Sequence, residues 1–63
     1  MKMTLKAARI NAKLTQTELA KKVGVTKKTI CYWENGKARP KVDKVEAICA
    51  AVGAGYDDIT WCS

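Results

Sequence analysis

The sequence has no histidine, and only six of its 63 residues are acidic. Histidine is the commonest general acid or base and the commonest metal ligand, and none of the acidic residues stands in a suggestive pair with a nucleophile. A chain of this length has room for one domain, over residues 1–63, but not for a preorganised catalytic cleft as well. We therefore expect no enzyme, no metal, no cofactor and no small-molecule ligand.

Cysteine is sparse and unpaired in its spacing. The chain has three cysteines, Cys31, Cys49 and Cys62, and no Cys-x-x-Cys pair. The odd number and the spacing argue against a disulfide framework. The lack of histidine also argues against a zinc site. No apolar run approaches the ~20 residues that span a membrane, and no signal peptide follows Met1. Reduced thiols in a cytoplasmic protein with no membrane partner are the simplest interpretation.

Basic residues are plentiful and unevenly placed. Residues 1–41 carry eleven of the twelve lysines and arginines and two acidic residues, whereas residues 42–63 carry one lysine and four acidic residues. An asymmetric basic surface favours a polyanionic partner such as nucleic acid. A merely solubilising basic face is the alternative.

Apolar residues recur at helical spacing, and no strand alternation is visible. Thr4, Thr15 and Thr26 are predicted N-caps, and Glu18 completes a capping box with Thr15. Gly24 is predicted to end the second helix in a left-handed conformation. The pattern thus predicts an all-α, compact bundle of about five short helices, over approximately 4–12, 15–24, 26–35, 42–52 and 56–61.

Only Gly24 and Val25 separate the second and third helices, which predicts a tight pair crossing at ~90–120°. The segment QTELAKKVGVTKKTICYWEN begins with Gln16 and has a small residue, Ala20, inside its first helix and glycine at its turn. Its apolar positions are Leu19, Val23, Val25, Ile30 and Trp33. This segment resembles the helix-turn-helix of phage repressors and Cro proteins, the lambda repressor-like or XRE family. The resemblance extends through NGKARP and VDKVEAICAAVG, roughly from Leu5 to Ile59.

The resemblance implies a DNA-binding domain whose third helix lies in the major groove. The implied base contacts are Lys27, Lys28, Cys31 and Tyr32. The implied phosphate contacts are Gln16, Thr26, Asn35, Lys37 and Arg39. Lys41 matches a position that reaches the minor groove in some relatives, although they carry arginine and their loop is one residue longer.

Several of the residues with implied DNA contacts also have an alternative role. For Lys27 and Lys28 the alternative is a nonspecific phosphate contact, and for Cys31 it is a silent surface position. Thr26 is expected first as an N-cap. Tyr32 has partial burial against Lys28 as its alternative.

Four further residues are expected to be structural. The resemblance implies a buried ion pair between Arg9 and Glu34, with a phosphate contact by Arg9 as the alternative, while Trp33 and Cys49 are expected in the core. Trp61 and Cys62 would either contact a second copy or pack over the helix ends.

We therefore expect a sequence-specific regulator of a phage or mobile element, in the bacterial nucleoid or an infected host. It would occupy a palindromic operator as a homodimer formed through its last two helices, where basic charge is absent. Two alternatives share the fold: an antitoxin-like protein-interaction module, and a controller protein of a restriction–modification operon. The first would be expected to carry a long acidic or apolar extension, which we do not see.

Overall fold

A computed structural model describes residues 2–61. Four α-helices carry the fold, and a short 3-10 turn and two very short strands complete it. In chain order the elements are β1 (Met3–Thr4), α1 (Leu5–Asn11), α2 (Gln16–Val23), α3 (Lys27–Glu34), α4 (Val42–Val52), the 3-10 turn (Tyr56–Asp58) and β2 (Ile59–Thr60). The all-α prediction, with a helix-turn-helix at α2 and α3, is confirmed.

Threonine side chains begin the first three helices, as predicted. Thr4 accepts a hydrogen bond from the Ala7 amide at 3.1 Å, and Thr26 accepts one from the Thr29 amide at 3.2 Å. Thr15 makes the reciprocal capping box with Glu18, with bonds of 3.1 and 2.8 Å. Each cap satisfies backbone donors that the first turn of a helix leaves without a partner.

All four helices end in the same way, with one residue in the left-handed region and a backbone amide that bonds back into the last turn. This is the Schellman arrangement, which favours glycine. The left-handed residues are Lys13 (φ 60°), Gly24 (83°), Gly36 (74°) and Gly53 (70°). The prediction for Gly24 is confirmed, and Lys13 is the one non-glycine residue described in this conformation.

The core lies where the four helices and β2 meet. Its buried residues are Leu5, Ala8, Leu19, Ala20, Val23, Ile30, Ile48 and Ile59. Trp33 packs against this core but is only half-buried. Cys49 is also half-buried, so the expectation of a core cysteine is only partly met.

The last predicted helix is shorter than the expected range of 56–61. Only one 3-10 turn forms, over Tyr56–Asp58, and the chain then becomes extended at Ile59 (φ −120°, ψ 136°). Ile59 and Thr60 are β-branched, which favours extended backbone. They pair in parallel with Met3 and Thr4, a contact that two-residue strands far apart in sequence do not reveal through alternation.

Candidate nucleic-acid interface

Close packing between α2 and α3 fixes the helix-turn-helix. Leu19 and Ile30 are fully buried and Ala20 is 3% exposed, so the short alanine side chain lets the two helices approach closely. The Lys44 Nζ of α4 donates to the Val23 carbonyl at 3.3 Å. A lysine at this position satisfies a carbonyl of the last turn of α2 and complements the helix dipole. The pattern of the sequence had not singled out Lys44.

The N-terminal end of α3 is exposed and strongly basic. Lys27 and Lys28 are its first two residues, both are exposed, and the first turn holds no acidic residue. The Thr26 hydroxyl caps the helix and also lies 3.0 Å from the Thr29 hydroxyl. Positive charge at a helix N-terminus opposes the helix dipole, so these lysines do not serve the stability of α3. An external anion would offset that cost.

Farther along the exposed side of α3, Tyr32 lies between two lysines. The Lys28 Nζ is 5.6 Å and the Lys37 Nζ 5.8 Å from the centroid of its ring, distances at which an aromatic face attracts a cation. Tyr32 is 39% exposed. We call Lys28, Tyr32 and Lys37 the exposed cluster.

Cys31 and Asn35 lie one turn apart on α3 and its C-terminal end. Asn35 Nδ2 is 3.2 Å from the sulfur of Cys31. Cys31 is half-buried, so it presents less surface to a partner than Lys27, Lys28 and Tyr32 do.

The loop after α3 carries the remaining predicted contacts. Gly36 adopts φ 74°, and the Lys37 amide bonds to the Tyr32 carbonyl at 3.0 Å. This turn brings Lys37 back beside α3. Three further residues with predicted DNA contacts, Asn35, Arg39 and Lys41, are exposed in the same part of the chain.

The structure joins Arg9 and Glu34 and adds a third side chain to them. Arg9 Nε donates to Glu34 Oε2 at 2.6 Å, and Arg9 Nη1 donates to the Leu14 carbonyl at 2.8 Å. Gln16 Nε2 donates to the other oxygen of Glu34 at 3.0 Å. The side chains of Arg9 and Glu34 are only 11% and 4% exposed. Arg9, Gln16 and Glu34 form what we call the buried cluster, which ties α1, α2 and α3 together.

Gln16 had been predicted only as a phosphate contact, and its bond to Glu34 was missed. A primary amide carries two N–H donors, so one can bind Glu34 while the other remains for a partner. Its position as the first residue of α2 is the only sequence signal that bears on this bond.

Two ionisable groups have shifted pKa values. The hydrogen bond from the Thr15 backbone amide is the main cause that lowers the pKa of Glu18, and the Thr15 hydroxyl adds to it. Burial raises the pKa of Cys49, and the nearby charge of Asp58 acts in the same direction. The Cys49 thiol is therefore protonated at neutral pH.

Within residues 2–61, no group of three or more cysteine, aspartate or glutamate side chains is arranged to hold a metal ion. None of the helices described for this chain combines the length and the apolar character that a bilayer crossing requires.

Comparison with known proteins shows the family. A family model described as helix-turn-helix matches residues 5–59. A protein of Methanocaldococcus jannaschii is 41% identical over 59 residues, covering 94% of this chain and 89% of its own length. Two proteins of Archaeoglobus fulgidus are 37% and 36% identical over 59 residues, with 94% of this chain and 83% and 84% of their own lengths covered. All three are named uncharacterized HTH-type transcriptional regulators. The chain belongs to the helix-turn-helix family.

Proposed function

We propose that residues 1–63 act as one sequence-specific domain that binds double-stranded DNA and regulates transcription. The observation that carries this proposal is the basic N-terminal end of α3, where Lys27 and Lys28 are exposed without an acidic neighbour in the first turn. The printed names of the archaeal relatives support the same class. In this proposal α3 enters the major groove and α2 crosses the backbone.

Base contacts come from the exposed side of α3. Lys27 and Lys28 donate to guanine O6 and N7 in the major groove. Tyr32 packs its ring against a thymine methyl group, with the ammonium groups of the two flanking lysines near its face. Cys31 contributes a smaller apolar contact from its half-buried position.

Phosphate contacts surround this face and fix its register on the duplex. Gln16 uses the amide N–H that Glu34 does not accept. The loop after α3 offers three more exposed groups, and Lys41 extends toward the minor groove. The proposed phosphate contacts are Gln16, Thr26, Asn35, Lys37 and Arg39.

The unit that regulates is proposed to be a homodimer on a palindromic operator. A two-fold dimer presents two α3 helices to half-sites about 34–36 Å apart, one helical turn of DNA. On the resemblance of residues 16–35 to phage repressors, we propose a repressor of a phage or mobile element. Such a protein works where the operator is, in the cytoplasm of the host cell.

Selection of bound sequences from a random DNA pool tests the proposal. We expect one enriched sequence with two-fold symmetry, because two equivalent α3 helices would bind two equivalent half-sites. Affinity for that sequence should fall steeply with salt, with a log–log slope near −5 if about six phosphates are neutralised per dimer. A matched pool treated with an Arg9→Met variant, which we expect to be unfolded, controls for nonspecific adsorption by a basic chain. No enrichment, or a salt-independent affinity, would reject sequence-specific DNA binding and favour a protein partner.

A further inference from the structure

One lysine in the acidic C-terminal part of the chain packs against the helix-turn-helix instead of pointing into solvent. Lys44 is the single basic residue among residues 42–63, and it is half-buried. Ile48, one turn later on the same side of α4, is fully buried, and α4 packs against α2. The aliphatic part of Lys44 therefore follows a packed surface, while its ammonium group reaches the end of α2.

The ammonium group meets the turn at a backbone carbonyl. Lys44 Nζ donates to the Val23 carbonyl at 3.3 Å, and a Cβ added at Gly24 would lie 3.9 Å from the same nitrogen. In a continuous helix, the amide four residues later, that of Lys27, would bond to this carbonyl, but Lys27 begins α3 instead. Lys44 thus supplies a donor where the break between the two helices removes one.

The other hydrogen bonds of the turn stay within α2. The amides of Gly24 and Val25 both bond to the Ala20 carbonyl, at 2.8 and 3.0 Å. Among the side-chain hydrogen bonds described for residues 2–61, the one from Lys44 is the only one that joins α4 to the helix-turn-helix. The position of the turn relative to α4 therefore depends on this bond and on apolar packing.

The turn leads directly into the proposed base-reading end of α3. Lys27 and Lys28 follow Val23 by four and five residues. Base recognition requires a side chain within hydrogen-bond distance of particular atoms in the groove, whereas the attraction of a lysine to phosphates acts through its charge and does not depend on sequence. A small displacement of the turn would therefore weaken recognition of a sequence more than general attraction to DNA.

We propose that Lys44 is a positioning residue for DNA recognition. Its bond to the Val23 carbonyl holds the turn against α4 and so sets where the N-terminal end of α3 lies, without a contact between Lys44 and DNA. This role rests on the proposed DNA binding by α3. The bond itself is measurable in the free protein, so a failure of the bond and a failure of DNA binding are distinguishable.

Amide hydrogen exchange of the free protein, followed by NMR, tests the bond. Lys44→Met removes the donor and keeps an unbranched side chain. Lys21→Met is the matched control, because it removes the same charge from an exposed position in the last turn of α2. In Lys44→Met we expect the Gly24 amide to exchange about tenfold faster relative to the Leu19 amide, as the loss of one hydrogen bond to a charged group implies. A general loss of stability would speed both amides alike, so a ratio equal to that of Lys21→Met would overturn the proposal.

Binding to the selected sequence and to random DNA tests the positioning role, at a temperature where circular dichroism shows every variant folded. Lys44→Met should bind the selected sequence about tenfold more weakly, the size of one weakened base contact, and random DNA within about twofold of wild type. Its salt slope should match that of wild type, because Lys44 neutralises no phosphate. Lys44→Arg keeps a donor for the carbonyl and should restore most of the affinity, while Lys21→Met should keep the wild-type preference for the selected sequence.

Three results would overturn the positioning role. Equal losses on both DNAs, with a salt slope reduced by about 1 per copy, would show that Lys44 binds a phosphate directly. Unchanged binding of Lys44→Met to the selected sequence would show that the turn needs no bond from α4. In that case a loss of binding for Arg39→Ala would still support DNA binding by this face. A wild-type chain that selects no sequence would reject DNA recognition itself, and the role of Lys44 with it.

Discussion

The two sides of α3 carry two charged clusters that differ in burial, in the sign of their charges and in whether those charges are paired within the molecule. The buried cluster contains both signs, with Glu34 4% exposed and bonded to Arg9 and Gln16. The exposed cluster contains two lysines on one tyrosine ring and no acidic residue. The first is complete within the molecule, whereas the second leaves its charge to be balanced from outside. The difference assigns the buried side of the helix to the fold and leaves the exposed side available for the proposed contact with DNA.

Solvation explains why the two clusters are built differently. A charge removed from water costs several kcal/mol unless a counter-charge and hydrogen bonds satisfy it, and none of the buried side-chain polar atoms described lacks a hydrogen-bond partner. An exposed lysine keeps its water and needs no partner, so two lysines tolerate each other beside Tyr32. Binding to a polyanion then releases counterions, which is favourable.

The largest expected effect comes from breaking the buried cluster. Arg9→Met leaves the Glu34 carboxylate buried with Gln16 as its only partner, which should cost about 3–5 kcal/mol of the free energy of unfolding. A domain of this size has only ~3–5 kcal/mol in total, so we expect an unfolded chain by circular dichroism. Lys6→Met, on the exposed side of α1, is the control and should stay within about 0.5 kcal/mol of wild type.

A double variant sharpens this prediction. Arg9→Met combined with Glu34→Leu removes both charges, and it should recover most of the loss because apolar pairs often replace buried ion pairs without cost. An Arg9→Met chain as stable as Lys6→Met would show that the ion pair does not hold α1 to α3.

Changes in the exposed cluster should affect DNA binding and leave stability alone. Lys28→Ala and Tyr32→Ala should stay within about 0.5 kcal/mol of wild-type stability, yet each should cost roughly 1–3 kcal/mol on the selected sequence and much less on random DNA. Arg39→Ala should weaken binding to both DNAs similarly, because a phosphate contact carries no sequence information. All measurements share one salt concentration. Equal losses on both DNAs for Lys28→Ala and Tyr32→Ala would remove these side chains from base recognition.

The turn between α2 and α3 orients the two clusters relative to each other. Gly24 has φ 83°, and an added Cβ would meet only Lys44 Nζ at an ordinary 3.9 Å. The cost of Gly24→Val is therefore backbone strain, about 1–2 kcal/mol. Gly24→Asn should cost less, since asparagine tolerates the left-handed region. Thermal unfolding measures the cost of both substitutions. An unchanged melting temperature for Gly24→Val would contradict the left-handed conformation at this turn.

Local rules of the sequence predicted most of the fold. The caps at Thr4, Thr15 and Thr26 and the left-handed Gly24 follow from chemistry within one turn of helix, and the structure confirms them. The last helical turn stops at Asp58, earlier than predicted, because Ile59 gains a strand partner, Met3, that is remote in sequence. Tertiary pairing of this kind overrides a helical pattern only a few residues long.

For the candidate site, the sequence predicted which side chains are exposed, because the spacing of apolar residues along a helix determines which side faces solvent. Lys27, Lys28 and Tyr32 are exposed on α3, as their positions imply. The bond from Gln16 to Glu34 and the lysine cap from Lys44 were not predictable, because each joins helices whose relative positions the sequence pattern does not specify. Cys62 lies outside the described residues, so its expected role at the C-terminal end stays a prediction.

The smallest expected effect tests the backbone that supports the buried cluster. Lys13 holds φ 60°, and the next residue, Leu14, offers the carbonyl that Arg9 Nη1 binds. A left-handed conformation costs a non-glycine residue roughly 1–2 kcal/mol, while glycine loses about 0.5–1 kcal/mol through the entropy of the unfolded chain. Lys13→Gly should therefore stabilise the protein by about 0.5 kcal/mol, which raises the melting temperature by roughly 2–4 °C in so small a domain. Lys21→Gly removes the same charge inside α2, where glycine is unfavourable, and should instead cost up to about 1 kcal/mol. A gain of stability for Lys13→Gly together with a loss for Lys21→Gly would locate the backbone strain at Lys13. A loss of stability for both variants would show that the backbone at Lys13 is not strained.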